Sequence, residues 1–187
     1  EVSSLSEDDL YSQLEEAQVA SVVEERSAVG AVASFQFTHA FFRQTLYEET
    51  IAPRRIRLHQ QVARALEERY HARPEEHAVE LAEHFSYSSD ASDLAKAIHF
   101  GELAAKRAMA VYAYTEAVGH LERALEVEDV LGPDDKAKRC NLLLTLGEAM
   151  MPAGESLRVY ESVAPEAFAL AETLGDNDRG ARACQLA

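Results

Sequence analysis

LAKAIHFGELAAKRAMAVYAYTEAVGHLERALEVED, residues 94–129, decides the fold. Its first half reads as a helix rich in small residues, and its second half, from Thr115, as a partner helix. The same two-part unit follows at once. KAKRCNLLLTLGEAMM (136–151) is another first helix and SLRVYESVAPEAFALAETLGD (156–176) another second one. Ala105 and Gly147 take equivalent small positions about 42 residues apart, and RGARACQLA (179–187) begins a third pair. Pro165 falls inside the second long partner helix and should kink or divide it. Residues 93–187 are therefore expected to form an array of helical repeats.

Upstream of the repeats the texture changes. Pro74 precedes a short amphipathic helix, EEHAVELAEHF, and SYSSDASD is a loop. Leu58, Val62, Leu66 and Tyr70 recur every four residues, as on a packed helix that Pro53 starts. Residues 53–92 thus read as linking helices. Farther upstream, Ser6 with Asp9 resembles a capping box for a helix reaching about Ala17. Residues 19–24 and 30–37 have the β-branched and aromatic content of two strands, with a turn near Glu25–Ser27. Thr38 is the expected N-cap of the next helix, with Phe37 and Phe42 as its hydrophobic staple. Helix, hairpin, helix over residues 1–52 is the C-terminal part of a winged-helix-like element. The fold class expected is mainly α, with a short β-hairpin near the start.

Composition narrows the function. The 187 residues carry 33 acidic against 18 basic side chains, a formal charge of -15. Such a field repels phosphate backbones and argues against nucleic acid as a partner. No apolar run has the length of a membrane span and no signal peptide is evident, so a cytoplasmic protein is expected. Cys140 and Cys184 stand apart on helical segments, without a C-x-x-C, and are expected to be buried reduced thiols. A first residue other than Met and an end within an apparent helix make the chain an expected excerpt of a longer protein.

No complete catalytic constellation is present, so no enzymatic activity, cofactor or metal is expected in this segment. GDNDRGAR (175–182) has the glycine spacing of a phosphate loop at Gly175 and Gly180. It lacks the following Lys and Ser/Thr and reads as a turn between helices. Asp176 and Asp178 lack the bidentate Glu of a calcium loop. His77, Glu80 and His84 share a helix, but the spacing is not H-E-x-x-H, and a polar helix face is the expectation. His39, beside Thr38 at a helix start, reads as an interface residue. Arg54, Arg55 and Arg57 oppose the dipole of the helix they begin, so an acidic partner, internal or on another domain, is expected.

These residues carry a resemblance. Phe35, Phe37, His39, Ala40, Arg43, Leu46, Tyr47, Arg54, Arg55, Leu58, His59, Val62, Ala63 and the run at 65–67 resemble the end of the winged-helix region in signal-transduction ATPases with numerous domains. His84–Phe85, the stretch 112–126 and AETLGD (171–176) look like the same proteins. Ala117, Leu121, Ala124 and Leu125, with Leu146–Gly147, resemble tetratricopeptide repeats, although a spacing near 42 exceeds their roughly 34 residues. The resemblance implies a regulatory segment of a bacterial protein whose ATP and magnesium are held by an upstream domain. Its output would be a LuxR-type DNA-binding domain or a class III adenylate or guanylate cyclase. The expected partners are other domains of that protein, or a peptide, protein or small-molecule inducer. The expected binding surface is His99, Glu102, Lys106, Asn141, Leu144 and Glu148 on the first helices, and the expected interdomain residues are His39, Arg54, Arg55 and Arg57. The alternative is a stand-alone repeat scaffold that assembles complexes without ATP.

Overall fold

A computed structural model describes residues 6–26, 34–132 and 135–187. The chain divides into two compact units, Glu1–Leu58 and His59–Ala187.

The first unit holds helix α1 (Glu7–Val19), strands β1 (Val23–Arg26) and β2 (Ser34–Phe37), helix α2 (Ala40–Glu49) and the start of α3 (Ala52–Arg69). Ser6 caps α1 as expected, accepting from the Asp9 amide, and its hydroxyl donates to the Asp9 carboxylate at 2.6 Å. The hairpin is antiparallel, pairing Val23 with Phe37 and Arg26 with Ser34. The first strand begins later than expected. Val19 is still helical, Glu25 and Arg26 are paired rather than turning, and residues 27–33, including Ser27 and the start of the second expected strand, lie outside the described residues.

Thr38 does not cap α2. Its hydroxyl donates to the Ser21 and Val22 carbonyls at 2.6 and 3.3 Å, so it fastens the hairpin's base instead. His39 takes the N-cap position in extended backbone, without a side-chain cap bond. That one-residue shift removes the staple spacing, and Phe37 and Phe42 remain 39% and 36% exposed. None of the described residues from 6 to 58 is buried.

The second unit contains the rest of α3, a 3-10 turn (Pro74–His77), α4 (Ala78–Ser86), α5 (Ala91–Ala110), α6 (Tyr114–Leu131), α7 (Lys136–Ala153), α8 (Ser156–Arg158), a π turn (Val159–Val163), α9 (Ala164–Leu174) and α10 (Asn177–Leu186). Helices α4 to α7 each pack on the next, α7 packs on α9, and α10 packs on both α9 and α7. Within residues 59–92, Ala63, Leu81 and Phe85 are fully buried in the core. Helix α5 begins at Ala91, where Asp90 accepts from the Ser92 and Asp93 amides. Pro165 does divide its helix. Its ring cannot sit in an unbroken α ladder, and the π turn immediately before it absorbs the mismatch.

The core is continuous, with Phe85, Leu81, Leu121, Leu142, Leu144, Met150 and Val159 fully buried. Each such side chain stabilises the unit by about 1.5–3 kcal/mol. The repeated small positions permit close approach. Ala105 is fully buried, and a Cβ on Gly147 would lie 2.6 Å from a Leu186 methyl. Cys140 is buried, and its thiol donates to the Ala167 carbonyl at 3.4 Å; Cys184, expected to be buried, is exposed.

Candidate functional site

The expected surface maps onto α5 and α7, with α10 packed beside α7. Glu102 on α5 takes a hydrogen bond from Lys138 on α7. Asn141 on α7 accepts at 2.9 Å from Arg179 on α10, and Glu148 on α7 takes Arg182 at 2.6 Å. Polar pairs thus join α5 to α7 and α7 to α10. His99 and Lys106 are exposed on α5, and His99 lies edge-on to Phe100 at 5.3 Å. Leu144 does not belong there. It is fully buried, because the helix turns that position into the core.

The reverse of α5 bears a groove against α4 and α6. Two adjoining cavities of about 320 and 260 Å³ share Val79 and His120 in their walls. Ala97, Gly101, Ala104 and Ala108 of α5 line them, so small side chains leave the space open. Burial pulls the His120 imidazole below its ordinary value, against an upward pull from Glu116.

Two polar clusters escaped sequence reasoning. Arg139 on α7 reaches Glu128 at 2.6 Å and Asp129 at 2.7 Å on α6, and Glu166 on α9 at 2.7 Å. Glu128 is 3% exposed, and its Oε1 has no hydrogen-bond partner among the described residues. Burial pulls the Arg139 guanidinium down, but the Glu128 and Glu166 hydrogen bonds outweigh it and hold the group above the ordinary arginine value. The second cluster joins α3 to α4 and α5. His59 and His84 place their Nδ1 atoms 2.8 Å apart, so one ring donates and the other accepts, and His59 stacks on Tyr87 at 4.0 Å. Gln60 donates to Ser88, and buried Asp93 accepts from Ser88 at 2.9 Å with Arg64 3.4 Å away. Neither cluster leaves a local signature, because apart from Ser88 and Asp93 the hydrogen-bonded partners are 10 to 33 residues apart and share no helix turn.

His84 therefore faces His59, while His77 stacks on Tyr70 at 3.4 Å and lies 3.4 Å from Glu80. Among the described residues no group of three or more His, Cys, Asp or Glu is placed to hold a metal ion. Only the first two residues of GDNDRGAR form the expected inter-helix turn: Gly175 ends α9 at a φ of 66°, Asp176 caps α10, and residues 177–182 are already helical.

In the first unit His39 is exposed, as are Arg54 and Arg57. Arg55 donates to the Tyr47 carbonyl at 3.2 Å and lies 5.1 Å above the Tyr47 ring. Among the described residues no carboxylate comes within 4.0 Å of Arg54, Arg55 or Arg57, so the expected acidic partner is not found there. No helix among the described residues is long and apolar enough to cross a membrane. Compared with protein-family models, curated proteins and solved structures, the chain finds no match.

Proposed function

We propose that this chain is a non-catalytic sensor and relay segment of a larger bacterial ATP-dependent signalling protein, either a transcriptional regulator or a nucleotide cyclase. The observation that carries the proposal is the face on which α5, α7 and α10 are joined by Glu102–Lys138, Asn141–Arg179 and Glu148–Arg182. Helices stacked on sequence neighbours present an extended surface to a peptide, a domain or an inducer, and transmit displacement from pair to pair. His99, Lys106 and the rims of those bridges are the contact groups, and the repeats are of tetratricopeptide type with lengthened helices. ATP and magnesium belong to a separate upstream domain.

The resemblance carried by residues 35–67 supports the same reading. Sequencing the gene upstream of the codon for Glu1 tests it. A phosphate loop of the G-x-x-x-x-G-K-[ST] type in the same reading frame is the expected result. A start codon immediately upstream would refute the relay and leave a stand-alone scaffold.

A further inference from the structure

Independently of that reading, we propose that the groove between α4 and α6 is a binding site for a short extended peptide that carries a basic side chain. The site lies wholly within the second unit. Its floor is one stripe of α5. Ala97 and Gly101 lie under the first cavity and Ala104 and Ala108 under the second, at positions i, i+4, i+7 and i+11 of a single helix face. A helix rises about 16 Å over that interval, the length of about five residues of extended chain. The two cavities therefore lie end to end and suit an elongated ligand.

The walls follow the same order. Val79 on α4 and His120 on α6 stand where the cavities meet. Glu83, Ser86 and Arg123 line one end, and Glu75, Glu76, Glu116 and Arg107 line the other. The cations are already engaged. Arg123 reaches Glu126 at 2.8 Å and Ser86 at 3.3 Å, and Arg107 donates to the Glu75 backbone carbonyl. Glu76 has Arg73 at 3.4 Å, but among the described residues Glu75, Glu83 and Glu116 have no cation within 4.0 Å. The groove thus presents unmatched carboxylates at both ends of an apolar floor, and their complement is a cation on an apolar stem. His120 makes no hydrogen bond to another described residue, and burial favours its neutral ring. One donor and one acceptor at the middle of the groove match the carbonyl and amide of a peptide backbone. An anionic ligand would meet the carboxylates unfavourably, and a compact one would leave one cavity empty.

Amide NMR of the isotope-labelled 187-residue chain, titrated with acetyl-Ala-Leu-Lys-Leu-Ala-amide, tests the proposal. Saturable shifts centred on Val79, Gly101 and His120 are expected, with none for the same peptide bearing Glu in place of Lys. Val79→Trp fills the groove from a half-exposed rim position, so it should abolish binding while the far-ultraviolet helical signal stays unchanged. Glu75→Gln with Glu116→Gln should weaken binding about tenfold, because each rim charge contributes modestly. Glu161→Gln with Glu172→Gln removes the same net charge at exposed positions outside the groove and should leave binding unchanged. No saturable shift with the lysine peptide overturns the proposal. Equal binding of the glutamate peptide, shifts centred elsewhere, or binding that survives Val79→Trp overturns it as well. So does a Glu75, Glu116 variant that binds no more weakly than the Glu161, Glu172 one. None of these outcomes depends on what the gene encodes upstream, so the groove and the relay stand or fall separately.

Discussion

Replacing Arg139 with Met removes the only cation within 4.0 Å of buried Glu128 among the described residues, and the structure indicates how much that costs. Glu128 has a side chain only 4% exposed, and Arg139, itself 20% exposed, is its partner at 2.6 Å. Removing one member of a buried pair costs about 3–5 kcal/mol, because the remaining charge has no solvent to return to. The other two arms add little. Asp129 and Glu166 are 62% and 45% exposed, and such pairs contribute about 0–1 kcal/mol each. The expected loss for Arg139→Met is therefore about 3–5 kcal/mol, mostly from Glu128. The double variant Glu128→Leu, Arg139→Met should recover to within about 1 kcal/mol of the parent, because no charge is left stranded. Urea unfolding followed by circular dichroism measures both, with Arg123→Met as control. Arg123 pairs with Glu126 at side-chain exposures of 52% and 65%, so its loss should be below about 1 kcal/mol. If Arg139→Met costs no more than the control, or the double variant is as unstable as the single one, the buried-pair reasoning fails.

Two further outcomes follow from groups whose surroundings differ. In the native chain one thiol, Cys184, should react with Ellman's reagent, and Cys140 should react only on unfolding, because burial both shields its thiol and pushes it up; two reactive native thiols would contradict the packing of α7 on α9. His120 has a folded value below its ordinary 6.5, so the unfolded chain takes up the proton first. Its contribution is complete above pH 6.5 and is lost as pH falls through the folded value. The effect is at most about 1.4 kcal/mol per pH unit, less because the ring is partly solvated. His120→Gln should flatten the acid side of the stability profile in urea titrations, and an unchanged slope would remove His120 as its cause.

Helices were legible where the signal is local. The Ser6 cap, the Pro53 start, the turn at Gly175 and the break at Pro165 each depend on residues within one or two turns, and each stands near its expected place. Thr38 shows how a local rule fails. A threonine before a helix has two uses for its hydroxyl, and here the carbonyls of Ser21 and Val22 take it from the cap, which moves the helix start by one residue. The first strand was legible in kind but displaced, because strand ends are set by pairing across the ladder, and Glu25 and Arg26 pair although neither is a strong strand former.

The site was legible as a face and not as a mechanism of cohesion. Glu102, Asn141 and Glu148 could be assigned to one side of the first helices by periodicity alone, but periodicity does not say that Lys138, Arg179 and Arg182 answer them from the next helix. Leu144 was misplaced for a related reason. A first helix between two neighbours buries more than one stripe, and Leu142, Leu143, Leu144 and Leu146 are all inside. That same wide burial brings Arg139 into reach of α6 and α9 together, so the array is cross-linked by charge as well as by apolar packing. Helix α7 is the hub of both sets, tied to α5 and α10 by the polar bridges and to α6 and α9 by the Arg139 cluster. A relay needs such coupling between neighbouring pairs, whereas a passive scaffold needs only the packing.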